Sequence, residues 1–276
     1  MAVYVKTAEQ IRAMRPAGLV TGQILTQLRA ATVPGVTPKQ LDALAAELIA
    51  QAGAKSSFLN YVPYAGCVPF PAVTCISVND TVVHGIPDAR PLALGDLVSI
   101  DFGVSIDGWH GDSAVSFLVG EPDAGVSRRL NQATYEALWA GIAQARVGNR
   151  LGDVGHAIAT TIRKADRRFS VVRDFTGHGI GRAMHEDPDV PNYGRPDKGM
   201  RIEEGLVIAI EPIISAGSGR TVEIDDGWTI KTADKSVASH FEHTVAITKA
   251  GVWVLTSADG GESECAARSI PFAPLL

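Results

Sequence analysis

Gly95-Asp96-Leu97-Val98-Ser99-Ile100-Asp101 and Gly205-Leu206-Val207-Ile208-Ala209-Ile210-Glu211 follow one pattern. Each opens on glycine, runs through apolar and branched residues, and ends six positions later on a carboxylate. Branched apolar runs favour strands, and glycine marks the turn that leads into them. The chain before each stretch matches as well. Gly35 stands sixty residues before Gly95, and Gly148 fifty-seven residues before Gly205. Two helical stretches accompany each. Thr7 caps a helix reaching Ala31, on which Ile11, Met14, Leu19, Ile24, Leu25 and Leu28 approximate an apolar stripe. Thr37-Pro38 starts a second, with Leu41, Leu44, Ala45 and Leu48 on one face. Val126 to Ala145 and Leu151 to Ala165 are their counterparts. The sequence therefore predicts a diverged internal repeat, approximately 9–120 and 126–250, in one pseudo-symmetric domain spanning 1–276. No composition shift or linker marks a boundary between independent domains. A true duplication places Asp101 and Glu211 on equivalent strands, facing each other across a pseudo-two-fold axis.

The strand Leu97 to Val104 alternates. Val98, Ile100 and Phe102 share one face, and Ser99, Asp101 and Gly103 the other. Asp107-Gly108 is a two-residue hairpin signal leading into a second strand, Ser113 to Val119. That register sets Ile106 opposite Trp109 and Asp101 opposite Ala114, with Asp112 one diagonal step from Asp101, roughly 5–8 Å away. Two carboxylates so close repel unless they share a proton or a cation. The run Leu206 to Pro212 reads as a buried strand, so Glu211 needs compensation for its burial. In the strand His240 to Thr248, Glu242 shares a face with the small residues Thr244 and Ala246, while Phe241, His243, Val245 and Ile247 take the other. A further short strand is expected at Thr229 to Lys231, and loops with short strands from Ser56 to Asp80.

His178 stands in Thr176-Gly177-His178-Gly179-Ile180-Gly181, a stretch that reads as a glycine-rich turn. The spacing is neither GxGxxG nor followed by Lys-Ser/Thr, which disfavours a phosphate cradle. His185 follows seven residues later, and His84 follows a strand-like stretch. Two Asp, two Glu and one His, each at a strand end or glycine turn, suit Mn, Fe, Co or Zn in a two-metal centre. No HExxH is present, which disfavours a single-zinc protease of that type.

Bulk properties narrow the rest. Of 276 residues, 46% are hydrophobic and 20% charged, enough for a core that needs no disulfide or structural metal. A net charge of -5 without a basic stripe argues against sequence-specific nucleic acid. Cys67, Cys75 and Cys265 are odd in number and not spaced as CxxC pairs, which fits a reducing cytoplasm. Met1 to Gln10 has no apolar core of a signal peptide, and no run of 18 apolar residues spans a membrane.

Six segments carry a resemblance. Asn79-Asp80-Thr81-Val82-Val83-His84-Gly85-Ile86-Pro87, Asp107-Gly108-Trp109-His110-Gly111-Asp112, Gly177-His178-Gly179-Ile180-Gly181, Glu211-Pro212, Asp226-Gly227-Trp228-Thr229 and Phe241-Glu242-His243-Thr244 resemble type I methionine aminopeptidase, over about Lys6 to Thr256. The resemblance implies an α/β (α+β) pita-bread fold, two pseudo-symmetric halves around an antiparallel sheet with helices outside. It implies two divalent metal ions (Co, Mn, Fe or Zn). Asp101 would be a bidentate ligand of one and His178 a ligand of the other; Asp112 and Glu242 would bridge, and Glu211 would complete the second metal's shell. Attack by a metal-activated water would release an initiator methionine ahead of a small residue. Glu211 would take the water's proton, His185 would bond the carbonyl oxygen, and His84 would meet the scissile amide nitrogen. The free amino terminus would bind on the His178 side. Phe70, Cys75, Met184 and Trp228 align with the methionine pocket, and Met184 stands where Phe or Tyr is common. Tyr64 and Cys67 are expected at the pocket's entry. A monovalent cation near Asn79 and Thr81 is also implied. The partners implied are nascent polypeptide N-termini, with transient ribosome association and a monomeric state. No Cys/His array precedes the catalytic region, and 33 and 31 residues separate His178, Glu211 and Glu242. Those spacings leave no room for the helical insertion of type II enzymes.

Two other functions remain open at this point. A proline-directed dipeptidase or aminopeptidase shares the ligand set, though such proteins usually carry an extra N-terminal domain. A non-enzymatic binding protein could keep the fold, but the presence of all five ligand residues opposes that.

Overall fold

The computed structural model describes residues 3–120 and 125–275. The expected domain limits at Met1 and Leu276, and the first two residues of the Met1 to Gln10 segment, lie outside them. The first half runs α1 (Ala8–Ala31), α2 (Pro38–Gln51), β1 (Lys55–Ser56), β2 (Cys75–Val78), β3 (Thr81–Val83), β4 (Leu97–Ile106) and β5 (Trp109–Leu118). The second runs α3 (Val126–Ile142), α4 (Leu151–Ala165), β6 (Ser170–Val171), β7 (Gly177–Gly179), β8 (Glu186–Val190), β9 (Val207–Ile210) and β10 (Ile213–Ser215). It continues with β11 (Thr221–Glu223), β12 (Ile230–Thr232), β13 (Ala238–His240), β14 (Glu242–Thr248), β15 (Gly251–Val254) and α5 (Glu262–Arg268). No helix among the described residues is long and apolar enough to cross a membrane.

Helix starts obey local chemistry. Thr7 and Thr37 each accept from the backbone three residues on, at Gln10 and Gln40, whose side chains bond back. The central sheet has the order β1-β4-β5-β14-β9-β7-β8, with β2 beside β4 and β15 beside β14. Strand pairs within it are antiparallel. The hairpin forms in the expected register, with Ile106 opposite Trp109 and Asp101 opposite Ala114.

The halves match in backbone detail. Gly35 and Gly148 have φ of 93° and 94°, and Gly95 and Gly205 have 86° and 88°. Gly35 donates to Leu92 while Leu92 donates to Val36; Gly148 donates to Ile202 while Ile202 donates to Asn149. Each half also has its own core. Ile24, Leu28, Leu41, Val98, Ile100 and Phe102 pack in one. Leu130, Leu138, Ile158, Ile208, Ile210 and Val245 pack in the other. The alternation of β4 thus sends its apolar face under α1 and α2 and leaves Asp101 on the concave side.

Three expectations change. Leu206 to Pro212 is not one strand: it breaks at Glu211-Pro212 into β9 and β10. His240 to Thr248 breaks at Phe241 into β13 and β14. The breaks lie side by side, because His243 pairs with Ile210 before them and His240 with Ile213 after them. Pro212 has no N–H for the ladder, so both strands leave the large sheet together for the sheet ordered β13-β10-β6. Third, Gly177-His178-Gly179 is a buried strand rather than a turn. A Cβ on Gly177 would lie 2.3 Å from Ala209 O, and one on Gly179 2.2 Å from Asp187 O. These glycines serve the close approach of neighbouring strands.

Candidate metal centre

Register brings the acids together. Asp101 on β4 lies opposite Ala114 on β5, and Ala114 lies opposite Glu242 on β14. Asp112 pairs with Gly103, one step along. Thr244 clamps Asp112 from β14: its hydroxyl donates to Asp112 O at 2.8 Å and accepts from Asp112 N at 3.1 Å. The Ser113 hydroxyl donates to Glu242 O at 2.6 Å. Glu211 sits in the shared strand break, where Asn192 Nδ2 donates to its carbonyl at 2.8 Å. β7 delivers His178, whose Nε2 is 3.6 Å from Glu211 Oε1 and 3.8 Å from Asp112 Oδ2. Ligand atoms of Asp112, His178 and Glu242 lie within 4.8 Å of one another.

Burial makes this cluster costly without a cation. Asp112 is 3% and Glu242 2% exposed. Asp101 Oδ1, Asp112 Oδ1 and Glu242 Oε1 are buried with no hydrogen-bond partner. Burial, offset in part by His240, pushes the Asp101 carboxyl up to about 7. Burial likewise takes Glu211 to about 8. Burial and the neighbouring carboxylates hold Asp112 and Glu242 well above the ordinary range. His178 moves the other way, to about 3, through burial and the nearby His185. Its Nδ1 lies 2.9 Å from Gly179 O, which can only accept, so Nδ1 carries the proton and Nε2 offers a lone pair. Orphaned carboxylate oxygens around a bare imidazole nitrogen form a donor set that fits divalent cations of the Mn, Fe, Co or Zn type.

A narrow cavity of about 70 Å³ opens on these five residues, lined also by Phe58, Tyr61, Phe70, Cys75, His84, Met184, His185 and Trp228. Cys75 faces Asp101 across the β2–β4 pair. Phe70 stands edge-on to Phe58 and Trp228 at 6.4 and 5.1 Å. His84 follows β3 with φ 56°, its ring 5.3 Å from Phe175 and 5.8 Å from Trp228. Burial lowers His84 to about 4. Burial and His110 lower His185 to about 4. Both are neutral near pH 7.

Residues 12–249 match the family described as Metallopeptidase family M24. The chain belongs to that family. This M24 chain is 49% identical over 257 residues to methionine aminopeptidase 1 of Mycobacterium tuberculosis, covering 91% of itself and 94% of that protein. It is 41% identical to methionine aminopeptidase 1 of Bacillus subtilis, with 92% and 99% covered. The crystal structure of methionine aminopeptidase from Rickettsia prowazekii superposes with a TM-score of 0.88 at 39% identity, covering 93% of this chain and 100% of that one. The prolidase from Pyrococcus furiosus, at 22% identity and a TM-score of 0.70, shares the fold over 92% of this chain and 65% of its own. The M24 chain thus has the pita-bread fold that the resemblance implied.

All sequence-predicted ligand and pocket residues line the one cavity. The expected entry residues do not. Tyr64 is 70% exposed, and neither Tyr64 nor Cys67 reaches the cavity, which Phe58 and Tyr61 line instead. The cause is a chain excursion. Asn60 N donates to Phe70 O at 2.8 Å and Phe70 N to Tyr61 O at 3.0 Å, closing residues 62–69 into a loop in which Tyr64 is exposed. Cys67 packs against the cluster of Phe58, Phe70, Met184 and Trp228, and Val68 O accepts from Trp228 Nε1 at 2.7 Å. Nothing periodic marks Phe58 or Tyr61 in the sequence. His240 was also missed. It is 2% exposed, with Nε2 3.5 Å from Glu211 Oε2. Its place two residues before Glu242 was a usable signal.

Proposed function

We propose that the chain is a methionine aminopeptidase that removes the initiator methionine from nascent proteins and peptides, with a small residue in second position. The observation that carries this reading is a narrow apolar pocket opening directly onto five buried metal-type ligands. Phe58, Phe70, Cys75, Met184 and Trp228 suit an unbranched thioether, and Met184 offers a polarisable wall. In this reading Asp101 would hold one divalent ion and His178 and Glu211 the other, with Asp112 and Glu242 shared between them. Bound there, the pair would supply Lewis-acid activation of a water and charge neutralisation at the carbonyl oxygen.

The chain's own residues do the rest. Glu211 is the carboxylate that takes the water's proton. His185 is neutral, and the Tyr61 hydroxyl lies 2.6 Å from its Nδ1. A phenol O–H donating there leaves the proton on Nε2, ready to bond the developing oxyanion. His84 approaches the leaving amide nitrogen. The aromatic wall excludes water from the first side chain.

The same proposal takes 1–276 as one catalytic domain. It places the protein in the cytoplasm as a monomer, acting on nascent N-termini with transient ribosome association. It assigns a monovalent cation to the backbone near Asn79 and Thr81. The Asn79 carbonyl accepts from Ala238 N at 2.8 Å and keeps a second lone pair for it. The decisive experiment offers Met-Ala-peptides and Ala-Pro-peptides to the protein loaded separately with Mn, Fe, Co and Zn. Metal-dependent Met release from the first is expected. Cleavage of the proline substrate alone, or of neither, would overturn the assignment.

A further inference from the structure

We propose that His240 is a positioning residue: its Nε2–H holds the Glu211 carboxylate and fixes which oxygen turns toward the metal centre. The inference rests on the aminopeptidase reading for the importance of Glu211, and on geometry for the contact.

Glu211 is fixed at its backbone by Asn192, but no hydrogen bond among the described residues reaches either carboxylate oxygen. Two imidazole nitrogens flank it. His178 Nε2 is 3.6 Å from Oε1, and His240 Nε2 is 3.5 Å from Oε2. His178 cannot serve as the donor. Its Nδ1 faces Gly179 O at 2.9 Å and keeps the proton, so its Nε2 presents a lone pair. That leaves His240.

His240 Nε2 is itself buried without a partner. Once Glu211 is ionised, as a metal ligand must be, a bare nitrogen there would face carboxylate lone pairs inside the protein, an arrangement with no compensation. A proton on Nε2 turns the same contact into a charge-assisted hydrogen bond. Closing it to about 2.9 Å needs only a small torsion of the glutamate. The imidazole is well placed to impose direction. His240 N donates to Ser116 Oγ at 2.9 Å, and that hydroxyl donates to His240 O at 2.6 Å, so both backbone groups of His240 are tied to β5. With Oε2 so engaged, Oε1 is the oxygen left on the His178 side. The two histidines divide the work by tautomer, one offering a lone pair and the other an N–H.

The test uses the full chain loaded with Zn, in wild type, His240→Gln and His240→Leu. Gln keeps an N–H donor at similar reach, and Leu keeps bulk without one. On a Met-Ala-peptide, Leu should lower kcat about 10- to 100-fold with KM changed little, the scale on which groups supporting a ligand act. Gln should restore most of the loss, and all three proteins should retain two ions by equilibrium dialysis. Nitrogen-15 NMR of the Zn-loaded wild type should show His240 protonated at Nε2 and bare at Nδ1. Wild-type kcat in the Leu variant would overturn the proposal. So would a bare Nε2 in the spectrum. Equal loss in Gln and Leu together with lost metal would make His240 a ligand instead. If the wild type releases no methionine, the aminopeptidase reading fails separately, and the NMR measurement still decides the His240–Glu211 contact.

Discussion

Loading the centre with divalent ions should expel protons, and the structure sets how many. A carboxylate must be ionised to ligate. At pH 7 Asp101, held at about 7, is half protonated, and Glu211, held at about 8, is mostly protonated. Asp112 and Glu242 stand well above their ordinary values and share the same field. The four titrate as one coupled set, and Asp101 and Glu211 alone carry more than one proton at pH 7, so two entering ions should release more than about one proton. The release should shrink as pH rises. Calorimetric titration of the metal-free protein with Zn, in buffers of different ionisation enthalpy, measures it directly. Release of under about half a proton at pH 7 would refute the reasoning, because it would mean the buried acids are already ionised. Stability follows from the same shifts. Asp101 keeps its proton in the fold at pH values where the unfolded chain has lost it. The fold is therefore fully favoured below about 4, and the advantage is lost as pH rises toward 7. At about 1.4 kcal/mol per pH unit, Asp101 costs the ionised metal-free protein at most roughly 4 kcal/mol. His178 acts in the opposite sense, destabilising the fold as pH falls below 6.5 toward 3. Below pH 6.5 the two effects largely cancel, so the metal-free protein should lose melting temperature mainly between about pH 6.5 and 8, where the carboxylates alone still titrate, and Zn should restore it.

Glu211→Gln should cut kcat by orders of magnitude while KM moves little; near-native turnover would remove Glu211 from the base role. Tyr61→Phe removes the hydroxyl 2.6 Å from His185 Nδ1 and should lower kcat about tenfold, the weight of one hydrogen bond. An unchanged kcat would free His185 from that contact. Gly103→Ala would place a Cβ 3.0 Å from Asp112 Oδ1 and 3.1 Å from both Met184 and Phe58. It should lower kcat/KM for Met-Ala-peptides about tenfold, mostly through KM. Steady-state kinetics that find KM unchanged would show that Gly103 does not floor the pocket.

The ligands were legible because strands alternate. Once Asp107-Gly108 fixes the turn, period-2 geometry alone places Asp101, Ala114 and Asp112, and the structure has that register. The glycine-led pattern at Gly95 and Gly205 recurs in the backbone, where both glycines take positive φ, 86° and 88°. What the sequence could not decide was whatever depends on which strands meet. Glu211 and Glu242 stand beside each other only because β9 and β14 break together, one residue on either side of a ladder that Pro212 cannot extend. The pocket is assembled from residues as distant as Phe58, Met184 and Trp228, and no local rule links them. Phe58 and Tyr61 line it while Tyr64 and Cys67 do not, because two backbone hydrogen bonds close residues 62–69 into a loop beside it. The sequence by itself thus determined the hairpin and the placement of Asp101 and Asp112 on one face of it, since both are set by short-range periodicity. Tertiary structure alone decided the walls of the pocket and the company Glu211 keeps, since those are contacts between segments that touch only after folding.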